Sequence, residues 1–122
     1  MGKKKNNYTK QLVDTIIEGM QEVKAHDIVC LDLKEIPNSI TDYFVICHGD
    51  SSTQVESIAK SVEKVTSEQL SEKPFHKEGT QNSLWILMDY ISIMVHIFYK
   101  DTRDHYDLES LWSDALTIKI EE

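Results

Sequence analysis

At 122 residues the chain has room for one domain with a single core and not for two. Its net charge of −8 argues against binding bare nucleic acid, whose affinity comes mostly from neutralised phosphates. No apolar run approaches a membrane span, and the basic start "MGKKKNNY" is not followed by an apolar stretch, so a cytoplasmic protein without a secretory leader is expected.

The acidic excess suits a basic partner surface, because complementary charge speeds encounter and rejects wrong partners. The cluster Lys3-Lys4-Lys5 falls in a segment, residues 1–8, that is expected to be disordered. Residues 9–116 are expected to form the domain, and 117–122 a tail.

The first periodic segment runs from about Thr9 to His26, where Leu12, Val13, Ile16, Met20 and Val23 mark one apolar helix face. Gly19 weakens this helix without breaking it. Asp27 to Leu33 alternates as a strand does, and "KEIPNSI" reads as a loop. Asp42 to His48 is nearly all apolar and rich in aromatic and β-branched residues, as in an interior strand buried on both faces. Cys30 and Cys47 fall inside these two strands without partners at metal-ligand spacing, so two buried, reduced thiols are expected.

A second helix is expected from the Ser51-Ser52-Thr53 cluster, with Thr53 and Glu56 at capping-box spacing and a core stripe of Val55, Ile58, Ala59, Val62 and Val65. "KPFHKEG" allows a short strand. "LWILMDYISIMVHIFY" then reads as strands over Leu84–Asp89 and Ile93–Tyr99, joined around Tyr90-Ile91-Ser92 as an antiparallel hairpin. That turn lacks the Gly or Asn that two-residue hairpins favour. Trp85, Leu87 and Asp89 share one strand face, and a Trp beside an Asp points to a face partly open for a partner. "DTRDHYDLESLWSDA" is expected as one closing helix capped by Asp101 or Thr102, and "LTIKIEE" as a potential edge strand. The order predicts an α/β class domain, a single layered domain with a mixed sheet of about five strands and flanking helices.

The strand–glycine–helix stretch "CHGDSSTQVESIA" raises the question of a phosphate site. A P-loop needs several glycines and a Lys-Ser/Thr pair, and a dinucleotide fingerprint needs G-x-G-x-x-G. Here one Gly is followed by Asp50, placed where an anion would approach. The histidines at 26, 48, 76, 96 and 105 are scattered, and no G-x-S-x-G elbow exists. No cofactor, no metal and no catalytic residue is expected, although acids such as Asp42, Asp50 and Asp89 leave an enzyme formally open.

"TDYFVICHGDSSTQVESIAKSV" and "WILMDYISIMVHIFYKDTRDHYDLESLW" together resemble the signature of the Iojap-like ribosomal silencing factors. The shared frame is T-D-Y-F-V-I with G-x-S-S-x-Q, W-x-L-x-D-Y with V-H-I-F, and a closing Y-D-L-E-x-L-W, spread from about Asp27 to Asp114. The resemblance implies a nucleotidyltransferase-like fold without the catalytic carboxylates. Thr53-Gln54-Val55 stands where those enzymes place a metal-binding D-x-D pair.

The resemblance also implies a non-catalytic ribosomal silencing factor. Such a protein binds the large ribosomal subunit through its ribosomal protein fourteen, sterically blocks joining of the small subunit and represses translation under nutrient limitation. Organellar relatives act instead in large-subunit assembly, which is the alternative function; a nucleotide-binding enzyme is the other. The partner-binding residues expected on this basis are Trp85, Asp89, Tyr90, His96, Tyr106 and Asp107. Asp42 and Tyr43 match the signature and are expected to be structural. An apolar patch left open away from the ribosome would also be covered by a homodimer. One departure stands out: members often carry a Gly-containing turn after D-Y, and here Ile91-Ser92 follows.

Overall fold

Period-2 and period-3.6 segments alternate along the chain, and the structure, a computed structural model, turns them into one six-stranded sheet and four helices among the described residues. It describes residues 2–121, with side chains for residues 7–121. In chain order the elements are α1 (Gly2–Glu22), β1 (His26–Asp32), β2 (Tyr43–Gly49), α2 (Ser52–Leu70), β3 (His76–Glu78), β4 (Trp85–Asp89), β5 (Ile93–Tyr99), α3 (Lys100–Tyr106), α4 (Leu108–Leu111) and β6 (Leu116–Lys119).

The strand order is β3-β4-β5-β2-β1-β6. Only β2 and β5 pair in parallel, with Tyr43 opposite Ile93 and Gly49 opposite Tyr99. The other pairs are antiparallel, so the sheet is mixed as expected. It has six strands, not about five, because the tail is part of it: Leu116 pairs with Asp32 and Lys119 with Val29.

α1 and α2 cover one face. Leu12, Ile16, Met20, Val55, Ile58 and Val62 pack on Cys30, Val45, Cys47, Ile86, Val95 and Ile97. Cys30 and Cys47 are free and buried here, and burial pushes their thiols up to about 11 and about 12. The helices cross at Gly19, where an added Cβ would lie 2.8 Å from the Val62 Cα. Ser61 Oγ donates to the Gly19 carbonyl at 2.7 Å across the same crossing.

α1 starts at Gly2 rather than Thr9 and ends at Glu22, so His26 belongs to β1. The Tyr8 hydroxyl donates to the Glu72 carboxylate, and Thr9 is already buried. The Lys3-Lys4-Lys5 side chains lie outside the described residues.

The second face carries Val29, Leu31, Leu33, Phe44, Ile46 and Phe98, partly covered by Ile36, Leu108, Trp112 and Ala115. Trp112 meets Phe44 edge to face at 5.3 Å. The closing segment is two short helices, not one. Asp107 adopts φ 47, in the left-handed region that Asp tolerates, and breaks the segment there. α3 has Tyr99 as its N-cap and no side-chain cap from Asp101 or Thr102. With the cover split this way, the second face is sealed over β1 and β2 and left half-open over β4.

Candidate functional site

The glycine turn is filled by its own chain. Ser51, not Thr53, caps α2: its extended backbone lets Oγ accept from the Gln54 N–H at 3.1 Å. Gln54 answers with Oε1, which accepts from the Asp50 N–H at 2.8 Å, and its Nε2 donates to the Lys24 carbonyl. The expected capping box at Thr53 and Glu56 is thus displaced two residues upstream. Gln54 also lies against Gly49, where an added Cβ would meet its Cβ and Cγ at 3.2 Å. The Asp50 carboxylate pairs with His26 at 2.9 Å. The Asp50 amide that a phosphate would use is therefore taken, and a carboxylate faces the approach. Among the described residues no group of three or more His, Cys, Asp or Glu side chains is placed to hold a metal ion.

The half-open second face is a different kind of surface. Pairing puts Trp85 opposite Phe98, Leu87 opposite His96 and Asp89 opposite Met94. On the far side of β5, Phe44 lies opposite Met94 and Ile46 opposite His96. Period 2 sends all eight to one face, and Trp85, Leu87, Asp89 and Met94 stay half-buried. Trp85 is the hub: its ring stands 4.8 Å from Phe98 and 5.0 Å from Tyr106 on α3. Tyr106 is 54% exposed. Trp85 and Tyr106 also line an open groove of about 620 Å³ with Leu84, Tyr99, Asp101 and His105.

His96 lies beneath this surface, 6% exposed, with Phe44 edge-on at 4.6 Å. Burial pushes its imidazole down to about 4, so the ring is neutral near pH 7. Its Nδ1 accepts from the Trp85 indole N–H at 3.1 Å. Since an indole only donates, the imidazole proton sits on Nε2. That Nε2 is buried and has no hydrogen-bond partner among the described residues. An unmet buried donor costs about 1–3 kcal/mol, more than an apolar ring would in its place.

Asp89 sits at the far end of β4, and its Oδ1 accepts from the Ile91 N–H at 2.7 Å. The hairpin turn is tight: Ser92 N–H donates to the Tyr90 carbonyl across Ile91, whose φ is 73. Ile91, the residue that departs from the family's glycine turn, is thus in the conformation glycine favours. Exposed apolar side chains ring this end: Ile91 itself, Phe75, whose N–H donates to the Asp89 carbonyl, and Ile40, next to the Thr41 that bonds the Ile91 carbonyl.

Two expected site residues lie elsewhere. Tyr90 is 6% exposed and points to the helical side, its hydroxyl 2.9 Å from Thr66 Oγ1 on α2. It is a core residue here, with its phenol raised to about 12 by burial. Asp107 bonds Ser110 and lines a separate groove, of about 670 Å³, with Asp27, His48, Arg103 and Glu109. Trp85, His96 and Tyr106 are brought together, with Asp89 at the end of the same face.

Sequence reasoning missed Arg103, which is buried and bolts three elements. It donates through Nε to Glu109 at 2.9 Å and through Nη1 to the Asp27 carbonyl at 2.8 Å, and bonds His48 Nδ1 at 2.9 Å. The signal was available, since this is the chain's single arginine. Leu87 falls on the face expected to be open, and Met94 joins it through its pairing with Asp89.

A mixed six-stranded sheet, two long helices on one side, two short ones partly covering the other, a self-filled glycine turn and a half-open aromatic face define an α/β domain without a phosphate-loop site. The profile of the family described as "Ribosomal silencing factor during starvation" matches residues 6–122, and the chain belongs to that family. A ribosomal silencing factor of Halalkalibacterium halodurans is 39% identical over 112 residues, covering 92% of this chain and 94% of that one. One from Bacillus subtilis is 36% identical, covering 87% and 88%. A crystal structure of a Chromobacterium violaceum protein superposes with a TM-score of 0.80 at 30% identity, covering 85% of each chain. No described helix is long and apolar enough to cross a membrane.

Proposed function

We propose that the protein acts in the cytoplasm, docks on the large ribosomal subunit through ribosomal protein fourteen, and sterically keeps the small subunit from joining. Translation is thereby repressed under nutrient limitation, and no bond is made or broken. The observation that carries this reading is Trp85: a half-buried indole, packed on Phe98 and Tyr106, on a sheet face that α3 and α4 leave half-open. Anchors of this kind dominate interfaces, with truncation costs of about 2 kcal/mol or more. The net charge of −8 complements a basic ribosomal surface.

The test is a sucrose gradient with purified bacterial large subunits, then added small subunits. The expected result is co-sedimentation with the large subunit and a fall in joined ribosomes. Trp85→Ala, checked for folding by circular dichroism, should weaken binding by about thirtyfold, the equivalent of about 2 kcal/mol. Failure to co-sediment overturns the reading. Binding without loss of joining replaces silencing with a role in large-subunit assembly.

A further inference from the structure

His96 is a polar residue in a place where polarity brings no packing advantage. Its neighbours across the strands are Leu87 and Ile46, and Phe44, Phe98 and Trp85 surround its ring. Among the described residues no charged side chain pairs with it. A phenylalanine would fill this site without burying an unmet imidazole N–H of its own. Of the two polar atoms that His96 supplies and phenylalanine lacks, only the acceptor at the δ position is used within the described residues, and it meets the Trp85 indole at 3.1 Å.

The bond is a diagonal one. Trp85 faces Phe98 across β4 and β5, and His96 lies two residues back along β5, so the indole must lie over the sheet toward His96 for its N–H to arrive. In that orientation Trp85 also keeps its contact with Tyr106 and its share of the open groove. A free indole in a half-open site has other staggered rotamers, and the bond to His96 selects among them.

We propose that His96 is a positioning residue: its Nδ1, rather than the bulk of its ring, holds the Trp85 indole in the orientation in which the docking face presents it. This rests on the docking reading for its consequence in binding, but its structural content is readable in the free protein. His96 itself is buried, beneath the indole rather than on the open surface.

Three substitutions separate acceptor from shape. His96→Phe keeps an aromatic ring and removes the acceptor. His96→Asn puts a carbonyl oxygen near the place of Nδ1 and gives up the ring. His96→Gln sets its polar atoms near Nε2 instead. The readouts are the Trp85 indole N–H resonance in the free protein, separated from that of Trp112 by Trp112→Phe, and affinity for large subunits. The expected result is a shifted, faster-exchanging Trp85 indole in His96→Phe and His96→Gln, with affinity lowered about five- to tenfold, one hydrogen bond's worth. His96→Asn should restore both in part.

An unchanged indole resonance in folded His96→Phe overturns the inference, whether or not the protein binds ribosomes. So does a binding loss that His96→Asn shares in full while His96→Phe escapes it, which would make the role a matter of packing. If the wild-type protein does not bind large subunits, the docking reading fails, and the indole resonance decides the positioning role on its own.

Discussion

The Asp89 carboxylate accepts the backbone N–H of Ile91 at 2.7 Å, and this bond ties the end of β4 to the turn that follows it. The expected partner-binding role and the structural role therefore fall on one side chain, and charge separates them. Asp89→Asn keeps an oxygen acceptor and loses the charge, whereas Asp89→Ala loses both. Chemical denaturation should show Asp89→Ala less stable by about 1 kcal/mol and Asp89→Asn near wild type. Both should bind large subunits more weakly. Full affinity of Asp89→Asn would confine Asp89 to the turn.

Ile91 carries a β-branched side chain at φ 73 and is 66% exposed. Left-handed backbone costs a non-glycine residue about 1–2 kcal/mol, and glycine's larger unfolded-state entropy returns about 0.5–1 of that. Ile91→Gly should then be neutral or stabilising by up to about 1 kcal/mol in urea titration. A loss of stability would mean that the side chain packs at the tip despite its exposure.

Gly19 invites the opposite error. Helix propensity alone favours Ala over Gly by about 1 kcal/mol in a helix interior. At this position a Cβ would lie 2.8 Å from the Val62 backbone, so α1 and α2 must separate. Gly19→Ala should be net destabilising, by about 1–3 kcal/mol before the propensity gain. A raised melting temperature would refute the tight crossing.

His96 and His48 both titrate below the ordinary histidine range, His96 at about 4 through burial and His48 through burial first and the Arg103 guanidinium second. A histidine whose pKa falls on folding binds its proton more readily in the unfolded chain. Its contribution to stability is complete above about pH 6.5 and is lost as pH falls toward the folded value. For His96 the loss between pH 6.5 and 4 is on the order of 3 kcal/mol. In urea titrations across that range, His96→Phe should show a shallower decline than wild type. Parallel curves would mean that the ring is not held neutral by the fold.

Much of the architecture was legible in the residues. β5 spans Ile93–Tyr99 as its apolar run indicated, and the α2 stripe of Val55, Ile58, Ala59, Val62 and Val65 is buried. These segments follow local periodicity, which exists before any tertiary contact. Boundaries set by side-chain detail were less legible. The α2 cap moved from Thr53 to Ser51, because Gln54 closes the turn through bonds to Asp50 and Lys24 that no local spacing reveals. The closing helix broke at Asp107, a residue whose left-handed backbone has no sequence mark of its own.

The sequence by itself determined most of the elements, the mixed character of the sheet, the absence of a phosphate-loop pattern and the family, through three separated blocks of residues. It also placed Trp85, Leu87 and Asp89 on one face, because a strand's side chains alternate with period 2 regardless of what packs on them. A Trp beside an Asp marked that face as partly open, and only the tertiary structure decided how much of it is covered. That depends on where α3, α4 and β6 come to lie, and those positions are set by long-range contacts such as Arg103 with Asp27 and His48. It also decided that Tyr90 turns inward to Thr66 while Trp85 leans over His96. Neighbours in space but not in sequence make both choices.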